Sequence, residues 1–251
     1  MTLKTKSRFS DRRSLKINVA TNLVLGVLVL SVGALCLAPA ESATQSGGEG
    51  TEIYRSADAS SNGVSLMFNV YWGTEEVYRI LDILKSHEAK ATFFIGGCWA
   101  DDNVECLQAI YAEGHEIGNH GYFHKDHSKL SLAENQKEIT ACNRFIELAL
   151  GEKPTLFAPP SGAYGDDMLS ACKTLQMKTI LWSRDTIDWR DKNAALIYTR
   201  ATKNIKGGEF VLMHPMAATA DALEDILTDY ETKALSLVTV SENLKQQERE
   251  N

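Results

Sequence analysis

The sequence predicts an α/β protein, a single distorted (β/α)7-type barrel preceded by an N-terminal signal or anchor helix. Three observations lead there. Short apolar runs alternate with amphipathic stretches about seven times between Val64 and Leu244, the rhythm of a parallel sheet with crossover helices. No second compositional block follows, so one domain accounts for the body. No G-x-G-x-x-G succeeds any of the apolar runs, which sets aside an open dinucleotide-binding sheet.

In chain order, Lys4, Lys6, Arg8, Arg12, Arg13 and Lys16 precede an uncharged run from Ile17 to Ala40. A basic stretch followed by an apolar one is the pattern of a signal peptide or signal anchor, and this run exceeds the roughly 20 residues that cross a bilayer. Ala38-Pro39-Ala40 offers an A-x-A cleavage site. Cleaved or retained as a membrane anchor through residues 17–40, it exports the body to the cell wall, the extracellular space or the outer face of the cytoplasmic membrane. Residues 41–63 are rich in Ser, Gly, Ala and Thr and read as a flexible linker. The domain is expected over 64–245, with a tail at 246–251.

Within it, Val64–Val70 reads as a strand and Thr74 as the cap of a helix striped by Val77, Ile80, Leu81 and Leu84. Ala91–Ile95 is a second strand, Val104–Ala112 a helix, and Glu116–Asn119 a strand entering a His-rich loop. Ser131 and Glu134 form a capping box for a helix that Gly151 ends. Strands at Leu156–Ala158, Lys178–Trp182, Glu209–Met213 and Leu235–Val240 alternate with helices near Asp166–Leu175, Ala194–Asn204 and Leu223–Tyr230. Ser241 opens a short terminal helix.

Net charge is −7, and the first 40 residues carry +5, so the remainder carries −12 (−7 less +5). An acidic body excludes DNA and RNA as partners, because phosphate binding needs concentrated positive charge. Cys98, Cys106, Cys142 and Cys172 show no CxxC spacing; a Cys98–Cys106 disulfide and free thiols both remain open.

In a barrel, functional residues gather where strands end. Five strand ends carry chemistry here: Phe68-Asn69-Val70-Tyr71-Trp72-Gly73, His115 to His124, Phe157 to Gly162, Trp182 to Trp189, and Leu212-Met213-His214. Four of the six histidines lie between His115 and His127, and His120 and His124 are spaced to reach one metal ion. His214, beside Asp185 at the end of the preceding strand, is a candidate general acid, because an Asp–His hydrogen bond holds an imidazole and favours its charged form. Trp189 offers a platform for a sugar face.

Taken together, these five motifs, in order and spacing, resemble the polysaccharide deacetylases (NodB-homology domain, carbohydrate esterase family 4) from about Val64 to Leu244. The first motif, F-[DN]-[IV]-x-W-G, is most similar to the spore- and cell-envelope-associated group of Bacillus and Clostridium type. The resemblance implies a hydrolase acting on carbon–nitrogen bonds other than peptides, removing acetyl from N-acetylated cell-wall glycan, foremost peptidoglycan amino sugars. It implies a divalent metal, zinc first, with His120 and His124 as metal ligands. It implies His214 as the acid that protonates the leaving amine, Asp185 as its partner, and Asn69 at the position of the general base. Substrate-binding falls to Trp189, Leu212, Pro160, Ser161, Tyr71 and Trp72.

This chain departs from the pattern at three positions. The usual base and metal aspartates are Asn69 and Val70, and the usual arginine of the third motif is Ala158. Tyr71, Glu75, Glu76 and Asp126 are the nearest groups to fill in. Three readings follow: a metal-assisted deacetylase of altered activity, a catalytically degenerate glycan-binding pseudoenzyme of the same fold, and a surface structural protein whose histidines bind nothing.

Overall fold

The structure, a computed structural model, describes residues 52–250, with side chains to Lys245. The expected anchor segment 1–40 and the start of the expected linker lie outside them. Among the described residues no helix is long and apolar enough to cross a membrane.

Among the described residues nine strands form one sheet: β1 (Ile53–Tyr54), β2 (Gly63–Val70), β3 (Thr92–Ile95), β4 (Glu116–Asn119), β5 (Leu156–Phe157), β6 (Lys178–Ile180), β7 (Arg184–Asp185), β8 (Phe210–Met213) and β9 (Ser236–Leu237). Their order is β1-β6-β5-β4-β3-β2-β8-β7, with β9 on β2, and every pair is parallel. The (β/α) architecture is therefore as the alternating pattern predicts. Its distortion sits at the open seam between the edge strands β1 and β7, where an isolated antiparallel bridge, Ser56–Glu209, joins the two sides. After β6 the chain crosses that seam: Leu181 N–H still donates to Tyr54 O on the β1 side at 2.8 Å, and Ser183 N–H already donates to Phe210 O on the β8 side at 3.2 Å.

Central β2 is buried at all eight residues, as a parallel strand covered on both faces should be. Its period of two divides the core. Leu66, Phe68 and Val70 join the layer under helix Thr74–Ser86 with Val77, Ile80, Leu81 and Leu84. Met67 faces the barrel interior with Phe94, Leu156, Ala158, Ile180 and Phe210. Each of these side chains larger than alanine contributes about 1.5–3 kcal/mol. Ser65 and Asn69 share Met67's face by the same alternation.

Helix Val240–Glu250 closes the amino end of the barrel. Val240 and Leu244 join the interior cluster. Asn243 Nδ2 donates to Gly63 O and Ser65 Oγ, and Ser241 N–H donates to Glu116 Oε2, which also accepts from Thr92 Oγ1. Buried polar groups are thus paired at the plug rather than exposed.

Several boundaries are corrected. Part of the expected linker belongs to the fold: β1 pairs with β6, and Ala57 N–H donates to Gly208 O at 2.7 Å. The expected strand Leu235–Val240 shrinks to β9, because Val240 starts the plug helix, which runs into the expected tail as far as Glu250. Thr74 caps nothing; its hydroxyl donates to Asn103 Oδ1 and accepts from Trp99 Nε1, and Gly73 holds the cap position. The Ser131–Glu134 capping box and the left-handed Gly151 stop are both present on helix Leu132–Leu150. Cys98, Cys106, Cys142 and Cys172 are free thiols. Burial pushes Cys106 and Cys172 up to about 11 and Cys142 to about 12.

Candidate functional site

Because all strands run parallel, the motifs that follow β2, β4, β5, β7 and β8 share the carboxyl rim. Gly73 brings the first and last of them together. Its φ is +79°, and a Cβ there would lie 2.2 Å from Pro215 O. With that close approach, the Trp72 ring stacks on His214 at 5.6 Å and 5°, and Trp72 Nε1 donates to Met216 Sδ at 3.1 Å.

The partner of His214 is Asp188, not Asp185. Asp188 Oδ1 lies 2.8 Å from His214 Nδ1 and accepts from Trp189 N–H at 2.8 Å. Asp188 Oδ2 accepts from His214 N–H at 2.6 Å and from Thr219 Oγ1 at 2.7 Å. Asp188 is fully buried, and four donors saturate its two oxygens. The carboxylate therefore only accepts, Nδ1 of His214 carries the proton, and Nε2 is the nitrogen left for a ligand. Asp185 instead pairs with Leu212 in the β7–β8 register and accepts from Ile187 N–H at 2.8 Å. Ile187 then turns through a left-handed φ of 54°, which carries Asp188 back to His214. A β-branched residue in that region is a true outlier, and nothing in the local pattern announces it. Asp188, which the sequence places within the Trp182 to Trp189 motif without singling it out, and Thr219 are the residues that sequence reasoning misses.

His120 and His124 do meet. Their ring centroids are 5.1 Å apart at 67°. His120 is buried, and its Nδ1 lies 2.7 Å from Ala158 O, so Nδ1–H donates and Nε2 is free. Burial first, and then the nearness of His124, pushes His120 down to about 3. His124 is also lowered, chiefly by burial. A charge on His214 acts against protonation of both, which ties the two halves of the site together. The Tyr71 ring lies 4.8 Å from His124, and Tyr71 is raised, first by burial and next by Cys98.

Two neutral imidazoles, one oriented by a backbone carbonyl, are the ligand state a divalent metal requires. The third donor does not follow. Val70 offers no donor atom and packs in the helix-side layer, and Asn69 offers only an amide, whose Oδ1 is buried without a partner. Among the described residues no group of three His, Cys, Asp or Glu stands ready for a metal. The set is one short of the three protein ligands of a catalytic zinc centre. Nor do Glu76 and Asp126 fill in: Glu76 pairs with Arg79 at 2.8 Å, and Asp126 pairs with Lys129 and caps the turn His127–Lys129.

The remaining predicted contacts divide by exposure. Trp189 is 50% and Trp72 39% exposed, as stacking platforms need to be. Ser161 is exposed at a left-handed φ of 56° in the turn Pro160–Gly162, whereas Pro160 and Leu212 are buried.

The family described as polysaccharide deacetylase matches residues 56–180. The chain is 40% identical over 179 residues to YlxY, an uncharacterized protein of Bacillus subtilis, covering 71% of this chain and 56% of that one. It is 34% identical over 173 residues to a peptidoglycan-N-acetylglucosamine deacetylase of Bacillus cereus, covering 66% of this chain and 81% of that one. Among solved structures it is similar to a carbohydrate esterase family 4 pseudoenzyme from Bacillus anthracis, with TM-score 0.76, 35% identity, and 78% and 69% of the two chains covered. A mutant of that pseudoenzyme, described as having restored enzymatic activity, superposes with the same TM-score.

Proposed function

The chain belongs to the polysaccharide deacetylase family, and from that premise we propose that it binds N-acetylated glycan of the bacterial cell wall without sustaining its hydrolysis. The observation that carries this reading is the end of β2, where Asn69 and Val70 stand on a rim that otherwise keeps its histidines. An amide takes no proton, and loss of a general base costs about 10²–10⁴ in rate. Two imidazoles without a third ligand hold a divalent ion, zinc first, more weakly and acidify its water less.

In this reading the N-acetyl group sits between the His120–His124 pair and His214. The neutral Nε2 of His120 accepts from sugar hydroxyls, Trp72 and Trp189 stack on sugar faces, and Tyr71, Pro160, Ser161 and Leu212 shape the hollow. Peptidoglycan as the ligand is supported by the deacetylase from Bacillus cereus. Binding without turnover is supported by the pseudoenzyme, and a scaffold still competent for chemistry by its mutant. A cell-wall ligand calls for export, which the basic and apolar composition of residues 1–40 supports.

The intact Asp188–His214–Thr219 group favours a second reading, metal-dependent N-deacetylation at a residual rate, with His214 protonating the leaving amine. One experiment separates the two. An N-acetylglucosamine tetramer is titrated calorimetrically into the protein with zinc present, and acetate is counted in the same sample. Saturable binding with acetate at background is expected. Turnover of acetate establishes the second reading, and absence of binding removes the first.

A further inference from the structure

The loop from His120 to His127 carries both imidazoles, and His124 takes a left-handed φ of 52°. A residue with a Cβ stays in that region only where its surroundings hold it. On both sides of His124 those surroundings lead to one group. Phe123 N–H donates to Glu138 Oε2 at 2.9 Å, and Lys125 Nζ donates to Glu138 Oε1 at 2.8 Å. Glu138 lies on helix Leu132–Leu150 with only 4% of its surface exposed. A carboxylate so desolvated persists only with strong partners, and here the partners are the two residues that flank His124.

The rest of that helix face serves the same loop. Asn135 Oδ1 lies 2.6 Å from His127 Nδ1. Asn119 Nδ2 donates to Ile139 O and Asn143 Oδ1, and Asn119 Oδ1 accepts from Gly121 N–H at 2.7 Å. Asn135 and Asn143 thus tie the two ends of the loop, and Glu138 its middle. We infer that Glu138 is a positioning residue: by holding the peptide before His124 and the ammonium after it, it sets the turn that brings the His124 ring against His120. What the pair is for rests on the glycan-binding reading; how it is held does not.

The test uses the full chain, with long-range ¹⁵N–¹H spectra of the imidazoles and calorimetric titration of the N-acetylglucosamine tetramer. In Glu138→Ala the ring signals of His124 move while those of His214 stay, and tetramer affinity falls about tenfold or more. Glu138→Gln keeps an oxygen for Phe123 N–H and restores the His124 signals. A folded Glu138→Ala protein with unmoved His124 signals overturns the inference, as does a Glu138→Gln protein as displaced as Glu138→Ala. Where Glu138→Ala does not fold, the milder Lys125→Ala decides. A shift confined to the His120–His124 pair supports the role, and no shift overturns it. Absence of tetramer binding in the unsubstituted protein counts against the glycan reading alone, since the ring signals still report on Glu138.

Discussion

At the scale of single residues, what could be read from the chain depended on distance along it. His120 and His214 directly follow β4 and β8, and His124 lies five residues past β4, so the rule that barrel chemistry sits at strand ends located them. The same rule takes in Asp188 with the Trp182 to Trp189 motif but does not pair it with His214. Asp188 lies three residues beyond Asp185, and only the left-handed Ile187 carries it to His214. The two carboxylates make unequal predictions. Asp188→Ala strips the acceptor from four donors and from a buried imidazole, so urea unfolding should show a loss of about 3–5 kcal/mol. Asp185→Ala removes one acceptor from one turn and should cost about 1 kcal/mol. Equal losses would contradict the assignment of Asp188 as the partner.

At the scale of elements, helix Leu132–Leu150 shows where legibility stops. Its ends are written locally, in Ser131, Glu134 and Gly151. Its inner face is not, because Asn135, Glu138 and Asn143 look like solvated positions until the His120–His127 loop folds onto them. The two-residue strands β1 and β7 were illegible for a different reason: their pairing is long-range and their own sequence too short to carry a period. Between helices Thr74–Ser86 and Ala217–Thr232, His87 at the end of the first reaches two carboxylates on the second, Glu231 at 2.7 Å and Glu224 at 3.1 Å. Desolvation works against its charge, but the two glutamates outweigh it and raise His87 above its ordinary value. A raised folded pKa means the clip contributes below the unfolded value of about 6.5 and fades as pH rises through the folded value. The melting-temperature gap between the natural protein and His87→Gln should therefore be widest in mild acid, above the glutamate value of about 4.3 and below about 6.5, close as pH rises through the folded value, and narrow with salt. A gap that is constant with pH would mean the ion pairs contribute nothing.

At the scale of the whole molecule, the barrel class was legible because alternation recurs along the entire body, whereas the open seam between β1 and β7 depends on where residues 181–183 cross, which no local pattern encodes. The packed interior also sets the acid limit of the fold. Burial foremost holds His115 down to about 4 and His120 to about 3, with Lys90 and His124 as the next causes. The unfolded chain takes up those protons near pH 6.5 while the folded one refuses them, so stability falls as pH drops from about 6.5 toward about 4, by up to about 1.4 kcal/mol per pH unit for each group. This runs opposite to the His87 clip, and His115→Gln separates them: its urea midpoint should fall less steeply in acid than that of the natural protein, and an unchanged slope would refute the assignment. The central claim, that the rim recognises glycan but lacks the groups to hydrolyse it, is tested most directly by acetate release. With zinc and an N-acetylglucosamine tetramer, the Asn69→Asp, Val70→Asp, Ala158→Arg triple variant, verified as folded, should release acetate at least about 10²-fold faster than the natural chain, in line with recovery of a general base. Equal, substantial release by the natural chain and the variant would contradict the claim, because hydrolysis would then be proceeding without the residues that β2 has lost.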